Sequence, residues 1–231
     1  MLVEDEKKIS DFLKKSLEAE CFAVDVAEDG EEGFLHAHAP HQDKIALFEK
    51  SIDDISRFIY DLLKLTELES NNEHLRTDRI DLSTELTGLV EYFAISAAHS
   101  GMTVTSDIAS GVTILGNTPK LKELLLSLLS NAEKYTKKAA EKRITITLHK
   151  DADHAVLSIS DTGIGIPQED LPHVFERFHR SHNAKHAGMQ RSGLGLVIAK
   201  TIAEKHNATL TVTSTEHKGA TFTLTFPCIV D

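Results

Sequence analysis

Long hydrophobic runs are missing from this sequence. None approaches the roughly 18 apolar residues that a membrane-spanning helix needs. The N-terminus, MLVEDEKK, turns acidic at once and lacks the basic start and apolar stretch of a secretory signal. Cysteine is scarce: Cys21 and Cys228 show no metal-ligand spacing and read as free thiols of a reducing compartment. Basic residues are the minority, 25 Lys+Arg against 36 Asp+Glu, for a net charge of −11. A general nucleic-acid binder would instead present a basic face. There is no internal repeat and no low-complexity tract. What is present, 41% hydrophobic and 26% charged residues over 231 positions, argues against disorder. The expectation is a soluble, cytoplasmic chain of one or two domains.

The charge is unevenly placed. Residues 1–35 hold eleven acids against four lysines, which is seven of the eleven net negative charges. Beyond them, Asp43–Ser70 reads as the clearest helix. Ile45, Phe48, Ile52, Ile55, Ile59 and Leu62 form a heptad seam that Leu47, Phe58, Leu63, Leu65 and Leu68 widen. Such a helix must pack on something, most simply an antiparallel bundle or a second copy. Pro40 and Asn71-Asn72 suit its ends. Further on, Ser83–Ala98, Thr118–Tyr135 and Gly193–His206 are predicted helices. Met102–Ile108, Val112–Leu115, Arg143–His149, His154–Ser160, Ala208–Ser214 and Thr221–Phe226 are predicted strands, the last two joined at Gly219. The order predicts an α+β fold, a two-layer sandwich with helices on one sheet face.

Four patches in the last hundred residues carry chemistry. Asn131-Ala-Glu-Lys-Tyr135 ends the leucine-rich helix, where Asn is a poor interior residue. It reads either as a fraying turn or as an oxygen ligand for a hard cation, with Lys134 near phosphate. Asp161-Thr-Gly-Ile-Gly-Ile-Pro167 follows a strand. Its glycines permit close backbone approach to a ligand, and its Asp can accept a hydrogen bond from an exocyclic amine, although a plain turn would look the same. Ser192-Gly-Leu-Gly-Leu196 opens a helix and could offer free N–H groups to an anion, or simply pack. Gly219-Ala-Thr-Phe222 by itself marks only a turn. Between the second and third patches runs Gln168–Arg191, polar, with Arg177, Arg180, Lys185, Arg191 and four histidines. A connection this long suggests a lid. His179, His182 and His186 fit one helical face and so a metal, but no Cys or carboxylate completes a ligand set, which favours the solvated lid.

Each patch is weak alone; the order is specific. NAEKYT, DTGIGIP, FERFHR (Phe175–Arg180), GLGL and GATF together resemble the five nucleotide-binding boxes of the sensor histidine kinases, over about Arg79–Pro227. The resemblance implies a catalytic ATP-binding domain at 79–231 with ATP and Mg²⁺ as its ligands. Asn131 would hold Mg²⁺, with Lys134 and Tyr135 flanking the phosphates and the base. Asp161 would bond the adenine amine, helped by water and Thr221. Gly163, Gly165 and Ile166 would shape the adenine pocket. Arg177, Gly193 and Gly195 would address phosphate, and Leu194 and Leu196 would complete the nucleotide-binding set. The chemistry implied is phosphoryl transfer by positioning and charge neutralisation.

Three departures bear on activity. Asp43–Ser70, within residues 36–72, looks like the second helix of that family's dimerisation hairpin and implies a homodimer through 43–68. The first hairpin helix should carry a phosphoacceptor motif like S-H-E-x-R-T-P, which is not found. The nearest histidines, His36, His38 and His41, lack the Glu-x-x-Thr-Pro context that would supply a base and position the ring. Residues 1–35 resemble instead the opening of a response-regulator receiver, with Glu4 and Asp5 matching its acidic pair, but the likeness stops near Phe34. An amphipathic stretch with Ile9, Phe12, Leu13 and Leu17 is expected to replace the missing hairpin helix. Finally, Ser127 stands where related ATPases place a water-activating Glu, so ATP hydrolysis should be slow.

Two functions remain. One is the ATP–Mg²⁺-binding core of a two-component histidine kinase, impaired in self-phosphorylation, with a response-regulator receiver domain as a possible partner. The other is a non-catalytic, nucleotide-binding, dimerising regulator, or a truncated or chimeric chain. A serine kinase of the anti-sigma type would share the pocket but not the Asp43–Ser70 helix.

Overall fold

The computed structural model describes residues 2–3, 26–27, 42–70, 78–137, 139–179, 181 and 193–229. The chain divides into two compact units, Met1–Ile59 and Tyr60–Asp231.

In the first unit β1 (Leu2–Val3) pairs in parallel with β2 (Val26–Ala27). Both strands fall in the fragment that resembles a receiver. The amphipathic stretch between them lies outside the described residues, as do His36, His38 and His41. Helix α1 (Gln42–Ser70) runs from the first unit into the second. Its seam residues Ile52, Ile55, Phe58, Ile59, Leu62 and Leu63 are between 37% and 64% exposed. The last turns differ: Leu65 and Leu68 are buried, and Lys64 Nζ pairs with Glu123 Oε1 at 2.8 Å.

The second unit is a layer of helices on a sheet. It contains β3 (Asp78–Asp81), α2 (Leu82–His99), β4 (Thr103–Ile108), β5 (Thr113–Gly116), α3 (Thr118–Thr136), β6 (Arg143–Asp151), β7 (His154–Asp161), α4 (Gly195–Lys205), β8 (Thr209–Thr215) and β9 (Gly219–Pro227). The main sheet has the order β4-β6-β7-β9-β8, with β4 parallel to β6 and the other neighbours antiparallel. Strict alternation decides its two faces. Ile144, Ile146, Leu148, Leu157, Ile159, Phe222, Leu224 and Phe226 point to one side and join the core formed with Leu121, Leu124, Leu125 and Leu128 of α3 and Ile198 and Ile202 of α4. The opposite side is hydroxyl-rich: Thr105, Thr145, Ser160, Thr221 and Thr213 stand in one cross-strand row, and Thr147, Ser158, Thr223 and Thr211 in the next.

The helices start where short polar side chains can hold their free N–H groups. Asp81 accepts from the N–H of Thr84 at 3.1 Å and from its hydroxyl at 2.7 Å. Asn117 caps α3 by accepting from the N–H of Lys120. Buried His206 joins two helix ends: its Nε2 accepts the N–H of Asn117 at 3.0 Å and its Nδ1 donates to the Ile202 carbonyl at 2.7 Å. One strand has no counterpart among the sequence expectations. β3 pairs antiparallel with β5, Ile80 opposite Ile114, although only Ile80 of its four residues is buried.

Candidate functional site

The site is built where β7, the turn after it, α3 and α4 converge. Alternation along β7 turns Asp161 to the same side as Ile159, so a carboxylate ends a row of core residues and is only 6% exposed. The N–H of Gly163 donates to its Oδ1 at 2.8 Å, and the N–H of Ala220 also donates to this carboxylate. Burial outweighs both bonds and raises the carboxyl from its usual 3.8 to about 6. A carboxylate held this way, facing an open cleft, is a directed hydrogen-bond acceptor.

The cleft encloses about 810 Å³ including its open mouth. It is lined by Asn131, Tyr135, Asp161, Gly165, Ile166, Val174, His179, Ser181, Gly193, Gly195, Leu196, Ala220 and Phe222. Two glycines are required by backbone geometry. Gly165 has φ +67°, and a Cβ there would run into the Thr215 carbonyl oxygen. Gly193 has φ +69° just before α4, and a Cβ would lie 2.8 Å from the Phe178 Cα. The α4 N-terminus therefore opens on the cleft with little side chain in the way, the arrangement that favours an anion. Asn131, on the buried side of α3 and 7% exposed, puts a neutral carboxamide into the same space.

Of the residues singled out in the sequence, the fold gathers Asn131, Tyr135, Asp161, Gly165, Ile166, Gly193, Gly195 and Leu196 around one cleft. Gly163 stands behind Asp161, holding it through its N–H. Leu194 is fully buried in the core, and Lys134 places its Nζ 5.1 Å from the Tyr135 ring centre; neither lines the cleft. Two more predicted residues lie away from it. Arg177 is exposed and outside the cleft. Thr221 stands on the hydroxyl-rich sheet face, its hydroxyl donating to Ser160 Oγ at 2.9 Å, because strand alternation turns its neighbours Ala220 and Phe222 toward the cleft instead. Ser127 Oγ donates to the Gly195 carbonyl at 3.3 Å, tying α3 to the start of α4. Sequence reasoning gave no site role to Val174 or Ser181, placed Ala220 and Phe222 in the GATF patch without a role of their own, and assigned His179 to a lid. Among the described residues no group of three His, Cys, Asp or Glu side chains could hold a metal ion, and no helix is long and apolar enough to cross a membrane.

Comparison with known proteins points the same way. Residues 116–229 match the family described as Histidine kinase-, DNA gyrase B-, and HSP90-like ATPase. The chain is 36% identical over 174 residues to the sensor histidine kinase RppB of Synechocystis, covering 75% of this chain and 38% of that protein. It is 30% identical over 197 residues to the sensor-like histidine kinase SenX3 of Mycolicibacterium smegmatis, covering 84% and 51%. The chain thus spans about half the length, or less, of these relatives. They are named as sensor histidine kinases, which are enzymes. Among solved structures, the mycobacterial sensor histidine kinase MprB shares 27% identity at a TM-score of 0.55, covering 65% of this chain and 97% of that one. Full-length ShkA in complex with AMPPNP superposes at a TM-score of 0.67 with 22% identity, covering 84% and 40%, a likeness of fold.

Proposed function

We propose, from the premise that residues 116–229 are an ATPase domain of the histidine-kinase type, that this chain is the ATP–Mg²⁺-binding core of a two-component sensor histidine kinase. It transfers the γ-phosphoryl group of ATP to a histidine. The observation that carries this reading is Asp161: a buried carboxylate lining a cleft that the glycine-bearing N-terminus of α4 also lines. The carboxylate suits the adenine amine, and the α4 N-terminus suits phosphate. Ile166 and Phe222 give the base apolar walls, and Tyr135 closes the side near Gly163. Asn131 fits Mg²⁺ as a single oxygen ligand, since that ion takes one or two protein oxygens and completes its shell with phosphate and water. When bound, the ion neutralises phosphate charge. The residues of this chain bind and orient the nucleotide, and the work is positioning.

The exposed seam of α1 supports a homodimer through residues 43–68, and a response-regulator receiver domain is the natural acceptor downstream. ATP as substrate accords with a cytoplasmic site of action. With Ser127 engaged on Gly195, no carboxylate stands four residues before Asn131 to activate water, so hydrolysis is slow. A second reading, a nucleotide-binding and dimerising regulator without catalysis, is favoured by the absence of an S-H-E-x-R-T-P motif from this sequence. The lead reading is tested at the cleft. Asp161→Asn should weaken ATP binding, measured by titration calorimetry, by about 10- to 100-fold, the worth of a hydrogen bond to a charged group. Unchanged affinity would remove the pocket assignment.

A further inference from the structure

His179 lines the cleft but has no role in the function proposed above. The residue before it, Phe178, has φ +64°, a conformation that a bulky L residue seldom adopts and that costs on the order of 1 kcal/mol. The result is a phenyl ring half exposed to solvent and an imidazole turned inward. Burial of apolar area would favour the reverse, so core packing does not account for the inversion.

The imidazole has a specific neighbour. Its Nε2 is buried, makes no hydrogen bond, and lies 3.4 Å from Oδ1 of Asp170, which is 2% exposed. Asp170 does not line the cleft; His179 does. The residue stands beside the start of α4: its backbone carbonyl oxygen is 3.1 Å from where a Cβ on Gly193 would be, and both residues line the cleft. Asp161 has other neighbours, Gly163 and Tyr135. An imidazole backed by a carboxylate and set beside a helix N-terminus favours an anionic ligand.

We propose that His179 is a phosphate-contacting residue of the nucleotide cleft. In the complex its Nε2 faces Asp170 and its other ring nitrogen, Nδ1, donates to an oxygen of the nucleotide phosphate chain. Among the described residues, the titratable groups facing the ring are Asp170 and His173, whose ring centre is 5.7 Å away and whose Nδ1 meets Glu176 Oε1 at 2.8 Å. The proposal rests on the nucleotide-binding reading and names a contact that reading does not contain.

The test is titration calorimetry of the full chain with ATP, ADP and adenosine, for wild type, His179→Phe and His179→Gln. His179→Phe should weaken ATP and ADP by about tenfold, as expected for a charged hydrogen bond, and leave adenosine unchanged. His179→Gln, which keeps a side-chain donor, should recover part of the loss. Unchanged adenosine affinity also reports an intact cleft in the variant. Equal ATP affinity in wild type and His179→Phe, or a loss for adenosine as large as for ATP, overturns the role of His179 alone. A wild-type chain that binds none of the three overturns the nucleotide reading and this contact with it.

Discussion

Asp161 shows what a buried carboxylate does to the stability of its own domain. Its folded carboxyl titrates near 6 against a usual 3.8, with burial as the main cause. Between those two values the unfolded chain has released the proton while the folded one still holds it. Stability therefore falls as pH rises through that window and levels off above about 6. The difference corresponds to about 3 kcal/mol. Asp161→Asn removes the charge and keeps one acceptor, so urea unfolding at pH 7.5 should show the variant more stable than wild type by about 1–2 kcal/mol. At pH 3.5 the two should converge; a gap that does not depend on pH would contradict the burial argument. The residue proposed to bind the base thus opposes folding. At this scale the sequence was informative where backbone freedom or an isolated carboxylate marks a position, as at Gly165, Gly193 and Asp161. It was silent about Val174, whose apolar side chain looks like any other until the cleft is assembled around it.

At the scale of elements, α1 is the case to examine. Its heptad pattern is plain in the sequence, and in the structure Leu65 and Leu68 are buried while Ile52, Ile55 and Ile59 are not. A seam of that kind is stable when another helix face covers it. Light scattering at micromolar concentration should give twice the 25.5 kDa chain mass, and Ile55→Asp with Ile59→Asp should return it to one chain. Melting of the Tyr60–Asp231 unit should be little changed, because both positions lie outside it. A monomeric wild type would count against the dimer. Most strands were legible for the same reason as α1: β6, β7 and β9 alternate, and each alternation matches a buried face. β3 was not, since Asp78, Arg79 and Asp81 carry no pattern and the strand exists through its pairing with β5.

For the molecule as a whole, the proposed phosphoryl transfer is tested through its acceptor. Incubation with γ-labelled ATP should give an acid-labile, base-stable label if a histidine of this chain accepts it, and changing His36, His38 and His41 to Ala should then abolish it. Label that survives the triple change would move the acceptor elsewhere in the chain. No label in wild type would favour the regulator reading over self-phosphorylation.

The sequence by itself determined the kind of domain: the order of its glycine patches, its alternating strands and its leucine-rich helix are local signals, set by backbone freedom and by period. Only the tertiary structure decided which side chains share the cleft. Thr221 and Ala220 are adjacent in sequence, yet one faces solvent across the sheet and the other faces Asp161. A single step of strand register separates them. His179 reaches the cleft because the backbone inverts at Phe178, and Asp161 is buried because helices from distant parts of the chain close over its sheet face. Burial, and with it the electrostatics of the site, belongs to the assembled fold, since it depends on neighbours that the linear order does not name.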